Sequence, residues 1–189
     1  LLIFCAAPAA AATTVYAAGV YSQAGQVADA ANAFGPADGG FARIGNSFSI
    51  LGLTIGQAGQ VVYSFADALS GAGLQLTGLA GGAGVPSVFV SIGEIVGGVA
   101  VFSAETNFTG AGVFNADLSA QCALISSAGC SLVRVRTVGG LGRGAFRLDA
   151  LSGVGAAPEP ATWALMILGF GAAAWRLKTR RTGAALTLG

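Results

Sequence analysis

Val133-Arg134-Val135-Arg136-Thr137, followed after the loop Gly139 to Gly144 by Phe146-Arg147-Leu148-Asp149-Ala150, decides the fold class. Side chains of a strand point alternately to opposite faces, so Val133 and Val135 share one face while Arg134 and Arg136 share the other. By the same rule Phe146, Leu148 and Ala150 point inward, and Arg147 and Asp149 point out. The two runs read as a hairpin whose solvent face carries three arginines and an aspartate. The same period recurs upstream. Phe48 and Ile50 alternate with Ser47 and Ser49, and then the phase slips to Leu51, Leu53 and Ile55, a slip that a bulge near Ile50 to Gly52 would absorb. Val61, Tyr63 and Phe65 form a further inward set, as do Leu74 with Leu76 and Val88, Val90 and Ile92. Val99 with Val101 and Val113 with Phe114 continue the pattern. Breaks fall at Ala68 to Gly73, Gly81 to Gly84 and Gly97-Gly98. Short strands separated by such turns predict a mainly β domain: an antiparallel, jelly-roll-like β-sandwich of about eight strands rather than a βαβ fold.

That domain, residues 13–152, is long enough to bury a sizeable core. From Thr13 to Ala157 five arginines stand against seven carboxylates, a net charge of −2, and no lysine precedes Lys178. Such a balance does not attract nucleic acid. The chain contains no histidine, which excludes Ser-His-Asp and Cys-His catalysis and leaves acid–base work to carboxylates. Glu94 and Glu105 are the pair a secreted glycoside hydrolase would use. Both sit beside turn-like residues, so we expect solvated surface carboxylates and no enzyme. Gly81, Gly82 and Gly84 precede no Lys-Ser/Thr pair and read as a loop, not a phosphate cradle.

Beyond the domain, residues 153–160 read as a linker, because Pro158 and Pro160 lack an N–H and keep their predecessors extended. Residues 161–177 read as a single transmembrane helix. No charged side chain occurs from Ala161 to Trp175, which leaves only a satisfied helical backbone to meet lipid. This run is shorter than the roughly 20 residues a spanning helix prefers, which suits a transient signal better than a permanent anchor. Arg176, Lys178, Arg180 and Arg181 follow at once and predict a basic cytoplasmic tail, 178–189, with everything upstream exported.

Pro158-Glu159-Pro160, two further residues, Trp163-Ala164, an apolar helix containing Gly169-Phe170-Gly171 and the terminal Arg/Lys cluster together resemble the PEP-CTERM sorting signal in its PEPxxWA variant. The resemblance implies recognition by an exosortase-type membrane enzyme, processing near Pro158, and delivery to the cell envelope or an extracellular polysaccharide matrix. Such tails usually stop at the basic cluster, whereas this one continues from Thr182 to Gly189. The plainer alternative is an ordinary single-pass anchor.

The front end agrees with export. Leu1-Leu2-Ile3-Phe4, Cys5 and the alanine-rich run to Ala12 resemble the end of a secretory signal peptide, so we read 1–12 as a partial leader with Thr13 as the mature N-terminus. Cys5 follows the bulky Phe4 and is read as part of that leader, not as a lipoprotein cysteine. Cys122 and Cys130 then form the remaining pair, flanking the turn-like Ser126-Ser127-Ala128-Gly129. In an oxidising compartment they are expected to bridge, restricting the unfolded chain by about 2.5 kcal/mol. Two free buried thiols are the alternative. Without histidine, two cysteines make a poor zinc site.

A looser resemblance covers most of the domain. The run Asp29 to Gly39, the entry Gly45-Asn46-Ser47-Phe48 and the closing segments around Arg134 and Arg147 are similar to galactose-binding-like, discoidin-type jelly rolls. That resemblance implies glycan binding and, in some members, a calcium ion near the Asp-Gly loop. Asp29, Asn32 and Asp38 offer the hard oxygens calcium takes. They are also ordinary turn residues, and the turn reading is preferred. Arg134, Arg136 and Arg147 could hold the uronate or sulfate groups of an extracellular polysaccharide by bidentate hydrogen bonds. A solvated strand face with Asp149 paired across strands is the plainer reading. Tyr16, Tyr21 and Tyr63 could stack on sugars, although alternation puts Tyr63 in the core. The leading expectation is an exported, non-enzymatic envelope or matrix protein; the alternatives are a carboxylate-dependent hydrolase and a surface protein without ligand.

Overall fold

Thr14–Gly25 (β1) forms one long strand and pairs with two different neighbours along its length. Its first residues, Thr14 to Tyr16, lie against Ser152 to Val154 of Phe146–Val154 (β14), whereas from Ala17 onward it lies against Gly59–Leu69 (β6). Register shifts between Ala17 and Gly19 and between Val20 and Ser22 bend the strand as it changes partner. The computed structural model describes residues 12–156 and 166–171. The chain divides into one unit ending at Ala156 and a second from Ala157.

In the first unit, β6 is followed across the sheet by Cys130–Thr137 (β12) and Ser87–Val96 (β8). The far edge of β8 takes Val99–Phe102 (β9) and Thr106–Thr109 (β10). On the other side of β1, strand β14 pairs with Ala42–Ile44 (β3) and Leu74–Ala80 (β7). Val27–Ala28 (β2) extends β3, and Gly112–Ala116 (β11) extends β7. Eleven strands thereby form one continuous antiparallel sheet. Asn46–Ile50 (β4), Leu53–Gln57 (β5) and Gly140–Leu141 (β13) make a separate three-stranded sheet in the order β13-β5-β4.

The expected fold class, mainly β and antiparallel, is what forms. Instead of two separate sheets of about eight strands in all, a single sheet curls on itself at β1. Both halves contribute to one core. Val61, Tyr63 and Phe65 of β6, Val133 and Val135 of β12 and Val88, Val90 and Ile92 of β8 share a buried cluster with Leu76 of β7 and Phe146 and Leu148 of β14. Phe108, Phe114 and Phe146 stitch β10, β11 and β14 together, with ring centroids 5.2 and 6.0 Å apart. Tyr63 is fully buried edge-on to Phe34; its hydroxyl has no partner among the described residues, and burial pushes the phenol up from its ordinary pKa.

Four expectations are corrected. The runs 133–137 and 146–150 do not pair with each other: β12 lies between β6 and β8, and β14 lies between β7 and the β1/β3 edge. Alternation sets the face a side chain takes but leaves the partner strand open, so Val135 and Phe146 reach the same core from different strands. The phase slip at Ile50 is a tight hairpin instead of a bulge. Ile50 pairs with Leu53, and Leu51 and Gly52 take φ of 52° and 80°, the pattern of a type I′ turn. Val99, Val101 and Val113 point outward. Asp149, at a register shift between Leu148 and Ala150, is buried and not solvent-facing because the loop of Asp38 and Gly39 lies over it and donates both its N–H groups to the carboxylate.

At the sheet's C-terminal corner the chain is held to its last described residue. The N–H of Gly155 donates to Thr13 O (2.9 Å) and that of Ala156 to Ala68 O (2.7 Å), so the sheet unit runs past residue 152 into the stretch read as linker. A short helix, Ser119–Ala123 (α1), brings Cys122 to Cys130 at the start of β12, and the two form the disulfide, with Cα atoms 5.9 Å apart. In the second unit residues 166–171 are helical and exposed. Among the described residues no helix is long and apolar enough to cross a membrane; apart from 166–171, the expected span 161–177 lies outside them. The leader residues 1–11 and the basic tail 178–189 also lie outside them. Cys122→Ala/Cys130→Ala is expected to lose about 2.5 kcal/mol of stability. Urea unfolding of the oxidised wild type beside the variant measures this, and coincident midpoints would contradict it.

Candidate functional site

Alternation along β12 places Arg134 and Arg136 side by side on the outer face of the sheet, opposite the buried Val133 and Val135. Phe89 lies between the inward Val88 and Val90 on β8 and so shares that outer face. The guanidinium of Arg136 stacks 4.6 Å from the Phe89 ring centroid, and that of Arg134 stacks 4.5 Å from the Phe102 centroid on β9. Glu105, in the connection between β9 and β10, reaches back between the two arginines. Arg136 Nε donates to Glu105 Oε1 at 3.0 Å, and a second Arg136 nitrogen contacts Oε2. Arg134 Nη2 lies 3.3 Å from Oε1, and Arg134 Nε donates to Ser91 Oγ at 3.1 Å. The result is a strip, Phe102-Arg134-Glu105-Arg136-Phe89, with two cations on one anion and guanidinium edges left outward.

The Arg136 hydrogen bond, reinforced by the charges of both arginines, holds the Glu105 carboxyl below its ordinary pKa and raises that of Arg136. A glycosidase acid needs the opposite shift. Glu94 is occupied otherwise: it accepts the N–H of Ser131 at 2.6 Å and its hydroxyl at 3.0 Å, clamping β8 to β12. Arg147 does not join the strip. It lies on β14, in register opposite Arg43 of β3, and among the described residues Asp149 pairs with no arginine. Asp149 Oδ1 instead accepts the N–H groups of Asp38 and Gly39, each at 3.1 Å, anchoring the loop that precedes β3.

The residues considered for calcium carry turn duties. Asp38 Oδ1 accepts the Gly40 N–H at 2.8 Å, Asn32 Nδ2 donates to Phe41 O at 3.4 Å, and Asp29 takes φ of 55° before a 3-10 turn at Ala30–Ala33. Among the described residues no three His, Cys, Asp or Glu side chains are grouped to hold a metal. Tyr16 and Tyr21 are exposed on β1. Sequence alone offers Glu105 as a solvated carboxylate and does not pair it with the arginines, and it does not single out Phe89 or Phe102. The alternation of Phe89 with Val88 and Val90 carried that signal, whereas the reach of Glu105 depends on the turn after β9.

Because the folded-state pKa of Glu105 is depressed, its contribution to stability is present above the ordinary glutamate pKa and is lost as pH falls through the lower folded value. Glu105→Gln should therefore cost about 0.5–1 kcal/mol near neutral pH and progressively less as the solution is acidified below about pH 4. Chemical denaturation across that range measures it; a constant difference would contradict the ion-pair assignment.

The residues of the tail motif, Pro158, Glu159, Pro160, Trp163 and Ala164, and the membrane-stop cations Arg176, Lys178, Arg180 and Arg181 lie outside the described residues. No curated protein and no solved structure matches the chain. The family model of the PEP-CTERM protein-sorting motif matches residues 156–181, beginning at the last residue held by the sheet. That motif supports export and membrane-associated processing by an exosortase. The chain thus carries a PEP-CTERM protein-sorting motif at residues 156–181.

Proposed function

We propose that this is a non-enzymatic protein of the cell envelope or extracellular matrix, whose tail is its address and whose β domain binds acidic exopolysaccharide through Arg134 and Arg136. The observation that carries the first half is the sorting motif at residues 156–181. It follows directly on a domain closed by a disulfide, the bond an oxidising compartment permits. The second half is supported by the strip on β12. Glu105 and two aromatic rings hold both guanidinium groups, so little side-chain entropy remains to be lost when a carboxylate or sulfate docks. Two cations share one anion, which leaves a net positive charge for the ligand. The depressed pKa of Glu105 favours binding over hydrolysis.

A purely structural surface protein is the second reading. The observation in its favour is that Glu105 already neutralises half of the strip.

Two measurements test these claims. Fractionation of cells producing wild type or Pro158→Ala is expected to show the wild type shortened and exported, and the variant unprocessed at the inner membrane; identical size and location would refute tail-directed sorting. Binding of the purified protein to an acidic exopolysaccharide is expected to weaken about tenfold in Arg134→Gln/Arg136→Gln, a loss of about 1.4 kcal/mol. Equal retention of variant and wild type would favour the structural reading.

A further inference from the structure

The three-stranded sheet has an apolar face with nothing over most of it. Register places Phe48 opposite Ile55, Ile50 opposite Leu53, and Leu141 opposite Ile55, so these five side chains share one face. Phe48, Ile50, Leu53 and Leu141 are 41–72% exposed. Ser49 and Thr54 take the other face, where their hydroxyls lie 3.2 Å apart. At the tip, Leu51 is 98% exposed in the left-handed region, at φ 52°. Asparagine or glycine would serve that turn without steric cost, so the leucine is unexplained by the hairpin's own folding.

The hairpin itself carries no charge. No charged residue lies between Arg43 and Asp67, and no acid lies between Asp117 and Asp149. Three arginines stand at its base. Arg43 shares a groove with Asn46, the first residue of β4, and Arg143 packs against Gly56 of β5. Arg147 lies in register opposite Arg43. None of the three makes an ion pair among the described residues. Like charges opposed across a strand pair are destabilising, so the Arg43/Arg147 pair is a cost that an external anion would relieve. An uncharged apolar hairpin ringed at its base by unneutralised arginines has the two components of interfacial lipid binding. A second copy would bring three more arginines to the same place, and a polysaccharide has no use for the exposed leucines.

We propose that the β4–β5 hairpin is a lipid-contacting element, its apolar face and Leu51 entering the interfacial layer of an anionic bilayer while Arg43, Arg143 and Arg147 meet the headgroups. It is independent of the sorting tail. Phe146 of β14 pairs near the hairpin's base at Ile44, whereas Val154 lies beside Thr14, where the chain leaves the sheet. The two ends of β14 are roughly 25 Å apart at strand rise.

The test uses the full chain with Cys5→Ser and Leu51→Cys, labelled at residue 51 with an environment-sensitive fluorophore. It is reconstituted in vesicles of phosphatidylcholine alone or with three-tenths phosphatidylglycerol. Asn115→Cys, on exposed β11, is the reference position. Residue 51 is expected to shift to the blue and to be reached by a bilayer-resident quencher in the anionic vesicles, with residue 115 remaining in water. Each of Arg43→Gln, Arg143→Gln and Arg147→Gln should weaken the response about fivefold. Water-like emission at residue 51 in both vesicle types, with the tail tryptophans reached by the bilayer-resident quencher, would overturn the proposal. So would a blue shift that needs no vesicles and grows with protein concentration, which would assign the face to a second copy. A shift induced only by acidic polysaccharide would overturn it as well.

Discussion

One strand has to satisfy two partners, and the rest of the domain depends on it. Within twelve residues β1 leaves β14 and joins β6, and the two register shifts that follow supply the bend. Without that change of partner the β6-β12-β8 half and the β14-β7 half would be separate sheets, each with an apolar face and an open edge. With it, the inward valines of β6, β8 and β12 meet the leucines and Phe146 of the other half in one buried cluster. Antiparallel pairing then continues across eleven strands.

The curl also sorts the arginines. Arg134 and Arg136 stay on the outer face of the half built on β6, where Glu105, Phe89 and Phe102 hold them. Arg147 is carried to the other half, next to Arg43 and below the apolar β4–β5 hairpin. Two cationic regions of different character result: one braced by a carboxylate and aromatic rings, the other without an ion pair among the described residues. The first suits a planar anionic group held by fixed donors, the second a diffuse anionic surface next to apolar side chains.

At the sheet's C-terminal corner, order and sorting signal meet. Thr13, Ala68 and Leu69 bind the last residues of the sheet unit, and Cys130 pairs in register with Leu69, so the disulfide sits at the same corner. The matched motif begins at Ala156. A processing enzyme acting on residues just beyond would meet a domain whose final strand is held by backbone hydrogen bonds and whose neighbouring loop is closed covalently, so cutting there need not open the core.

The strand content, the inward sets on β6, β8, β12 and β14, the cysteine pair and the sorting motif were legible in the residues alone, because period-two alternation, loop spacing and a contiguous motif are local properties. Pairing is not local. Val133 to Thr137 and Phe146 to Ala150 look like hairpin partners in the chain, yet the first pairs with β6 and β8 and the second with β7 and β3. Asp149 reads as exposed by alternation and is buried by the loop of Asp38 and Gly39, which is distant from it in the chain. Sequence by itself therefore determined the inward sets of β6, β8, β12 and β14 and the presence of the sorting motif. Only the tertiary structure decided which arginines stand together, that Glu105 is their counter-ion, and that an apolar hairpin is left facing out, because each depends on strand partners that alternation alone does not choose.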